Sequence, residues 1–373
     1  QCRCLAFRLF YYMFFSCVYI SVAVDMTVYH AFVDISRSGG YDYTSERIID
    51  IQGAYNMSIK KVVVAGGGVL GSQIAFQAAY KGFDVTIWLR SDASIGRSQP
   101  KIDRLHGIYL AELADAETKI GTKGASFSRG LIDDGEHISA EEIARLKKNA
   151  EAAYKNLKLT TDLASAVKDA DIVIESMAEN PQAKKDFYDA LSAVLEDKTI
   201  VATNSSSMVP SMFRDHVKNP KRYLAIHFAN NIWRNNMVEI MGHDGTDPAA
   251  FEKVVEFAKN IGMIPLKVLK EQPGYLLNSM LIPFLTAGEA LLANEVGDVK
   301  TIDSAWKLGT GSPLGPFQIL DIVGLETAYN ITMNRPDSSD PASLHGRIAK
   351  ILKSYIDQGK TGINAGEGFY KYK

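Results

Sequence analysis

Apolar and polar positions alternate along this chain in blocks that predict strands and helices in turn. Valines 62 to 64 of "VVVAGGGVLGSQIAF" predict a short buried strand, and "LGSQIAFQAAYKGF" carries apolar residues at helical spacing until Gly82, a C-cap signal. "DVTIWL" follows as a second strand. From Ser98 to about Asn156 the pattern is helical and charged. There "SAEEIARLKKNAEAAYKNL" opens on a capping box of Ser139 and Glu142, and the whole stretch predicts an inserted helical arm. Strands resume with "KLTTD", "ADIVIES" and "KTIVATN". The last two flank "NPQAKKDFYDALSAVLED", a helix with Asn180 at its N-cap and Pro181 in its first turn. "KRYLAIHF" and "NMVEIM" are two further strands joined by the polar loop "ANNIWRNN". Alternating strands and helices predict a parallel, doubly wound α/β sheet. Past "NIGMIPLKV" the pattern changes, at Pro273 and Gly274, to long apolar helical segments. An all-helical C-terminal domain is therefore expected over residues 271–373, after an α/β domain over residues 57–270.

The joint between the first strand and the first helix is the most specific local signal. Gly66, Gly68 and Gly71 satisfy G-x-G-x-x-G, whose glycines permit a tight turn, approach of a pyrophosphate to backbone, and close packing of the helix. The start of the helix presents free N–H groups and a partial positive charge to such a phosphate. A Rossmann-type dinucleotide site is expected, with Gly66, Gly68, Val69, Leu70 and Gly71 as its contacts. In an NAD site an Asp or Glu commonly stands about 20 residues further on, at the end of the second strand, to bond the ribose hydroxyls. Here Leu89, Arg90 and Ser91 occupy that stretch. Arg90 with Ser91 could hold a ribose 2′-phosphate and favour NADP, or Arg90 is a solvated strand-end residue, so NAD and NADP both stay open.

Composition narrows the remainder. The chain has 373 residues, 46% of them hydrophobic, and a formal net charge of −2, which suits a globular protein of two or three domains and supplies no basic footprint for nucleic acid. Residues 1–56 differ in character. "LFYYMFFSCVYISVAV" is apolar enough for a signal peptide or anchor yet shorter than the roughly 20 residues that span a bilayer. The favoured expectation treats 1–56 as upstream sequence or a dispensable extension ahead of a natural start at Met57, and places residues 57–373 in the cytoplasm, off any membrane. All three cysteines (Cys2, Cys4, Cys17) fall in that segment, so no thiol chemistry is expected of the rest, and no cluster has metal-ligand spacing.

Open α/β sheets bind ligands beyond the carboxyl ends of their strands. Glu179 follows one strand, Asn204 to Ser207 follow the next, and His227 ends "RYLAI". If "RYLAIHF" and "MVEIM" form a hairpin, its midpoint falls at Trp233 and His227 lies opposite Glu239. Such a dyad fixes the imidazole tautomer and leaves the other nitrogen to take a proton from an alcohol, as oxidation of a secondary alcohol requires. Singly, each has a plainer reading: His227 as a core histidine, Glu239 as a solvated edge residue, Ser206 as the cap of a short helix near Met208, and Asn278 as a first-turn helix residue.

From Met57 onward the chain resembles the 3-hydroxyacyl-CoA dehydrogenase family. The likeness is carried in order by "VVVAGGGVLGSQIA", "ADIVIESMAENPQAKKDFY", "TNSSSM", "LAIHFANNI", "MVEIM", "QPGYLLNSMLIPFLTAGEALLANE", "LGTGSPLGPFQILDIVGLET" and "GEGFYKYK". The resemblance implies His227 as catalytic base, Glu239 as its orienting carboxylate, and Ser206 and Asn278 holding the substrate oxygen. It also implies Asn230 beside the substrate, Glu179 and Lys184 touching cofactor, and a homodimer. It implies hydride transfer between NAD(P) and the 3-hydroxyl of a short L-3-hydroxyacyl-CoA, in fatty acid metabolism. The sequence departs from the family at Leu89, in "HFANN" with Ala229 and Asn231, and at Asn364. The loop departure is expected to bring Trp233 and Arg234 near a polar or anionic short substrate. That leaves a hydroxy acid or sugar-acid dehydrogenase without CoA as an alternative, and a non-catalytic nucleotide-binding protein as a second. His30, His106, His137, His216, His243 and His345 match no motif and are expected to be surface or structural.

Overall fold

The computed structural model describes residues 59–372 apart from Asp134 and Glu136. The expectations for residues 1–56, Met57 and His30 lie outside the described residues. One eight-stranded sheet organises the first part of the chain, in the order β3-β2-β1-β4-β5-β6-β7-β8. The strands are β1 (Lys61–Ala65), β2 (Asp84–Trp88), β3 (Lys158–Thr160), β4 (Ile172–Glu175), β5 (Ile200–Thr203), β6 (Tyr223–Phe228), β7 (Met237–Gly242) and β8 (Ile264–Val268). Neighbours from β3 across to β6 pair parallel, β7 runs antiparallel to β6, and β8 runs parallel to β7. Central strands such as β4 are buried on both faces, which is why they read as unbroken apolar runs rather than as alternation.

Helices cover both faces. Helix α1 (Val69–Tyr80) crosses from β1 to β2; α2 (Asp92–Thr118) and α3 (Ala140–Asn156) fill the connection from β2 to β3; α4 (Leu163–Val167), α5 (Pro181–Val194) and α6 (Pro248–Asn260) link later strands. Gly82, with φ of +95°, lies one residue past the C-cap Lys81 of α1. Asn180 caps α5 by accepting from the N–H of Ala183, with Pro181 at its first turn. Ser139 caps α3 by accepting from Glu142 N–H, but the Glu142 carboxylate turns to Arg145, so the box is closed on one side only.

The helical stretch expected from Ser98 begins six residues earlier, at Asp92, with Ser91 as N-cap. Gly96 and Pro100 hide this start in the sequence, and packing decides it: Ile102, Leu105, Tyr109 and Leu113 of α2 and Ile143, Leu146 and Ala150 of α3 join the same core as β1 and α1. Each such large side chain contributes about 1.5–3 kcal/mol by leaving water. The pair is therefore a packed layer of the fold.

From α7 onward the chain is helical, with α7 (Leu277–Ala293), α8 (Val299–Thr310), α9 (Pro316–Val323), α10 (Leu325–Met333) and α11 (Leu344–Ile356) around Leu285, Phe317, Leu320, Ile348 and Leu352. Two buried carboxylates fasten its end. Asp321 accepts from the N–H groups of Phe369 and Tyr370, and Asp303 accepts from Tyr370 Oη–H at 2.9 Å. Among the described residues no helix is long and apolar enough to cross a membrane.

Candidate active site

Strand order reverses between β1 and β4, and the glycine turn lies at that reversal, where open α/β sheets leave a crevice. Two glycines of the G-x-G-x-x-G spacing are required by close backbone contact. A Cβ on Gly66, whose φ is +119°, would stand 2.4 Å from the Ser176 carbonyl oxygen, and one on Gly71 would stand 2.1 Å from that of Gly66. Gly68 differs: it is the N-cap of α1, and a Cβ there would meet nothing within 4 Å. Its backbone is thus open to a ligand at the helix start, flanked by exposed Val69 and half-buried Leu70. These features fit a dinucleotide pyrophosphate. At the end of β2, Leu89 turns into the core at 3% exposure, leaving exposed Arg90 and Ser91 as the polar groups there.

Beyond β4 and β5 the polar residues form a dense network. Glu175, the last residue of β4 and wholly buried, accepts from Lys184 Nζ at 2.6 and 2.8 Å, Met177 N–H at 2.7 Å, Thr203 Oγ at 2.8 Å and Tyr188 Oη at 3.0 Å. Lys184 is thereby committed inside the protein, with its Nζ 3.7 Å from exposed Glu179. Glu179 accepts from Ser205 Oγ at 2.7 Å and Ser207 Oγ at 2.9 Å. In the sequence Glu175 shows only as a carboxylate closing an otherwise apolar strand.

The hairpin of β6 and β7 pairs His227 directly with Glu239. His227 Nδ1 lies 3.0 Å from Glu239 Oε2, and Nε2 lies 3.1 Å from Ser206 Oγ. Glu239 is fully buried. Burial alone would push its carboxyl up, but hydrogen bonds from His227 and from the Leu277 and Leu276 N–H groups, with the His227 charge, outweigh that and hold it below the usual carboxylate range. An ionised Glu239 keeps the proton on Nδ1 and stabilises an imidazolium, leaving Nε2 to exchange a proton at the mouth of the site. Ser205, not Ser206, caps the following turn, accepting from Met208 N–H at 3.0 Å, so the Ser206 hydroxyl is directed to His227. Asn278, in the first turn of α7, follows directly on the two residues whose N–H groups bind Glu239.

The loop between β6 and β7 departs from expectation. Trp233 is buried at 6% exposure against Tyr109 of α2, and Arg234 pairs with Glu112 of the same helix. Gln73 Oε1 accepts from Asn231 N–H at 2.8 Å and Trp233 O accepts from Gly130 N–H, two bonds that fasten the loop to α1 and to the segment between α2 and α3. Asn231, with φ of +59°, makes the turn. Asn230 is exposed beside it, its carbonyl accepting from Asn235 Nδ2. Elsewhere, His106 stacks on Tyr154, His216 meets Asp189, His243 meets the Pro220 carbonyl, and His345 meets Asp337. Among the described residues no group of three or more His, Cys, Asp or Glu could hold a metal ion.

Fold and site together define a dinucleotide-binding α/β protein with a buried acid–imidazole pair at its ligand edge. A family profile described as "3-hydroxyacyl-CoA dehydrogenase, NAD binding domain" matches residues 108–272, and "3-hydroxyacyl-CoA dehydrogenase, C-terminal domain" matches residues 274–372. The chain is 31% identical over 324 residues to "Hydroxyacyl-coenzyme A dehydrogenase, mitochondrial" of Homo sapiens, covering 86% of this chain and 93% of the relative. It is 30% identical over 315 residues to "3-hydroxybutyryl-CoA dehydrogenase" of Bradyrhizobium diazoefficiens, covering 84% and 96%. A solved structure described as "Substrate-directed dual catalysis of dicarbonyl compounds by diketoreductase" superposes with a TM-score of 0.71 at 41% identity, over 84% of this chain and 99% of that one. The chain belongs to the 3-hydroxyacyl-CoA dehydrogenase family. It is accordingly an oxidoreductase with a nicotinamide dinucleotide as cofactor.

Proposed function

We propose that the protein interconverts an L-3-hydroxyacyl-CoA of short chain and the matching 3-ketoacyl-CoA. The observation that carries this reading is the Ser206–His227–Glu239 relay at the carboxyl edge of the sheet in a chain of this family. The dinucleotide, when bound on the glycine turn, supplies or accepts the hydride. His227 Nε2 removes the hydroxyl proton, Glu239 holds the imidazole and balances its charge, and Ser206 with Asn278 orients the substrate oxygen. Glu179 lines the cofactor side of the cleft in this reading, and Asn230 its substrate side.

Arg90 and Ser91 support a preference for NADP, since a buried Leu89 supplies no carboxylate for the ribose hydroxyls. A second reading, a carbonyl reductase acting without CoA, draws support from the 41% identity to a protein described as a diketoreductase acting on dicarbonyl compounds. A homodimer is proposed on the exposed apolar residues of the helical part, Leu291, Val296, Trp306 and Leu308 among them. A cytoplasmic location and a role in fatty acid metabolism complete the proposal, and fractionation of cells tests the first.

Steady-state turnover of acetoacetyl-CoA and of ethyl acetoacetate, each with NADH and with NADPH, tests the reading. Turnover of the thioester that falls by about two orders of magnitude in His227→Ala, with cofactor affinity kept, supports it. Turnover of the ester alone supports the second reading. Turnover of neither overturns both.

A further inference from the structure

Three consecutive residues at the start of α7 touch His227, Glu239 and the turn that carries Ser206. Tyr275 has φ of +53°, in the left-handed region that favours glycine, so the surrounding structure must hold it there. Its ring stacks on the His227 imidazole, with centroids 4.4 Å apart and planes 11° from parallel. Its hydroxyl, buried with the rest of the residue, donates to the Ser205 carbonyl oxygen at 2.8 Å. Leu276 and Leu277 then donate their N–H groups to Glu239 Oε1 at 2.8 Å each. Imidazole, carboxylate and the serine turn are thus fastened by consecutive residues of one short segment.

The hydroxyl goes beyond packing. A phenylalanine ring would fill the same space, yet this ring carries an O–H aimed at the peptide that precedes Ser206. The rest of the turn is fixed already: Ser205 Oγ bonds Glu179 and Met208 N–H, and Ser205 N–H bonds Thr203 Oγ. The Tyr275 hydroxyl supplies the remaining hold, on the carbonyl of the same residue. Burial, followed by the charges of Glu179 and Glu239, pushes its ionisation far above the usual phenol range, so it stays a donor at any working pH.

We infer that Tyr275 is a positioning residue whose hydroxyl sets the Ser205–Ser206 peptide and, through it, the reach of Ser206 to His227 and to the substrate oxygen. The inference rests on the proposed function above. It places the control of the relay in the helical part of the chain, since Tyr275 seats the turn from the same segment that secures Glu239.

The test combines Tyr275→Phe, Ser206→Ala and the double variant in turnover of acetoacetyl-CoA or ethyl acetoacetate, whichever the unaltered protein reduces. Tyr275→Phe keeps the stack and is expected to lower kcat about tenfold, the scale of one lost hydrogen bond together with the carbonyl left without it, with KM for the cofactor unchanged. The double variant is expected to be no slower than Ser206→Ala alone, because no hydroxyl then stands at position 206 to be placed. Tyr275 replaced by 3-fluorotyrosine, which keeps the donor, is expected to retain turnover, and this arm decides the matter should Tyr275→Phe fail to fold. Losses that multiply in the double variant, full activity in Tyr275→Phe, or loss of turnover with 3-fluorotyrosine would each overturn the inference while leaving the base intact. An unaltered protein that reduces neither compound overturns the inference together with the function beneath it.

Discussion

Replacing Lys184 with Met separates two readings of that residue, as a cofactor contact and as the internal counter-charge of Glu175. In the structure its Nζ supplies two of the five hydrogen bonds that Glu175 accepts, at 2.6 and 2.8 Å, with side-chain exposure of 1% for the lysine and 0% for the glutamate. Removing one partner of a buried pair leaves an uncompensated charge and costs about 3–5 kcal/mol. Three neutral donors remain, from Met177, Tyr188 and Thr203, so the low end, about 3 kcal/mol, is expected. Urea denaturation of Lys184→Met measures this loss. Adding Glu175→Gln removes the stranded charge and is expected to restore most of the stability. Fluorescence titration of the folded variant with NADH and NADPH completes the comparison and should show little change in affinity. A stability loss below about 1 kcal/mol, accompanied by a large loss of cofactor affinity, would refute the counter-charge argument and favour direct contact.

Gly71→Ala places a methyl group 2.1 Å from the Gly66 carbonyl oxygen, a strain of about 1–3 kcal/mol that should weaken cofactor binding about tenfold or more; unchanged affinity by titration contradicts the role of the turn. Glu239→Gln keeps the shape of the relay but removes the charge that supports the imidazolium, so kcat should fall by about two orders of magnitude in steady-state assays, and an unaffected kcat contradicts the dyad. Burial among Leu292, Phe317, Ile348 and Leu352 pushes the Glu289 carboxyl from 4.5 up to about 7. Its folded form therefore holds a proton that the unfolded form has lost. Its contribution is fully present below 4.5 and is lost as pH rises through 7, a fall of about 3 kcal/mol; the stability profile of Glu289→Gln should lack that fall, and an identical profile would contradict the burial argument.

Much of this arrangement was legible in the sequence because it rests on local rules. The glycine spacing specified the turn at Gly66 to Gly71. The strands "RYLAIHF" and "MVEIM" flank a loop whose midpoint falls at Trp233, and a hairpin closed there sets His227 opposite Glu239. Asn180 followed by Pro181 marked a helix start by capping chemistry alone. What stayed hidden depends on partners far along the chain. Trp233 and Arg234 are directed by Gln73, Tyr109 and Glu112, all more than a hundred residues away, so the loop's polar character gave no hint of its direction. The start of α2 at Asp92 runs against local signals at Gly96 and Pro100 and is settled by packing on α1. Tyr275 reads as an apolar helix-entry residue, because neither its positive φ nor its stack on His227 leaves a mark in periodicity. Glu175 shows only as a lone acid at a strand end, while its five hydrogen bonds come from β5, α5 and the adjoining loop.

In the proposed reaction a hydride moves between the dinucleotide and a carbon bearing oxygen, with His227 handling the proton. Reduction of acetoacetyl-CoA with cofactor deuterated at the transferring position of the nicotinamide, followed by mass spectrometry of the product, tests it most directly. Deuterium is expected on the carbon that carries the new hydroxyl, with His227→Ala slowing its appearance. A product without deuterium, or label appearing at the same rate in His227→Ala, would contradict it.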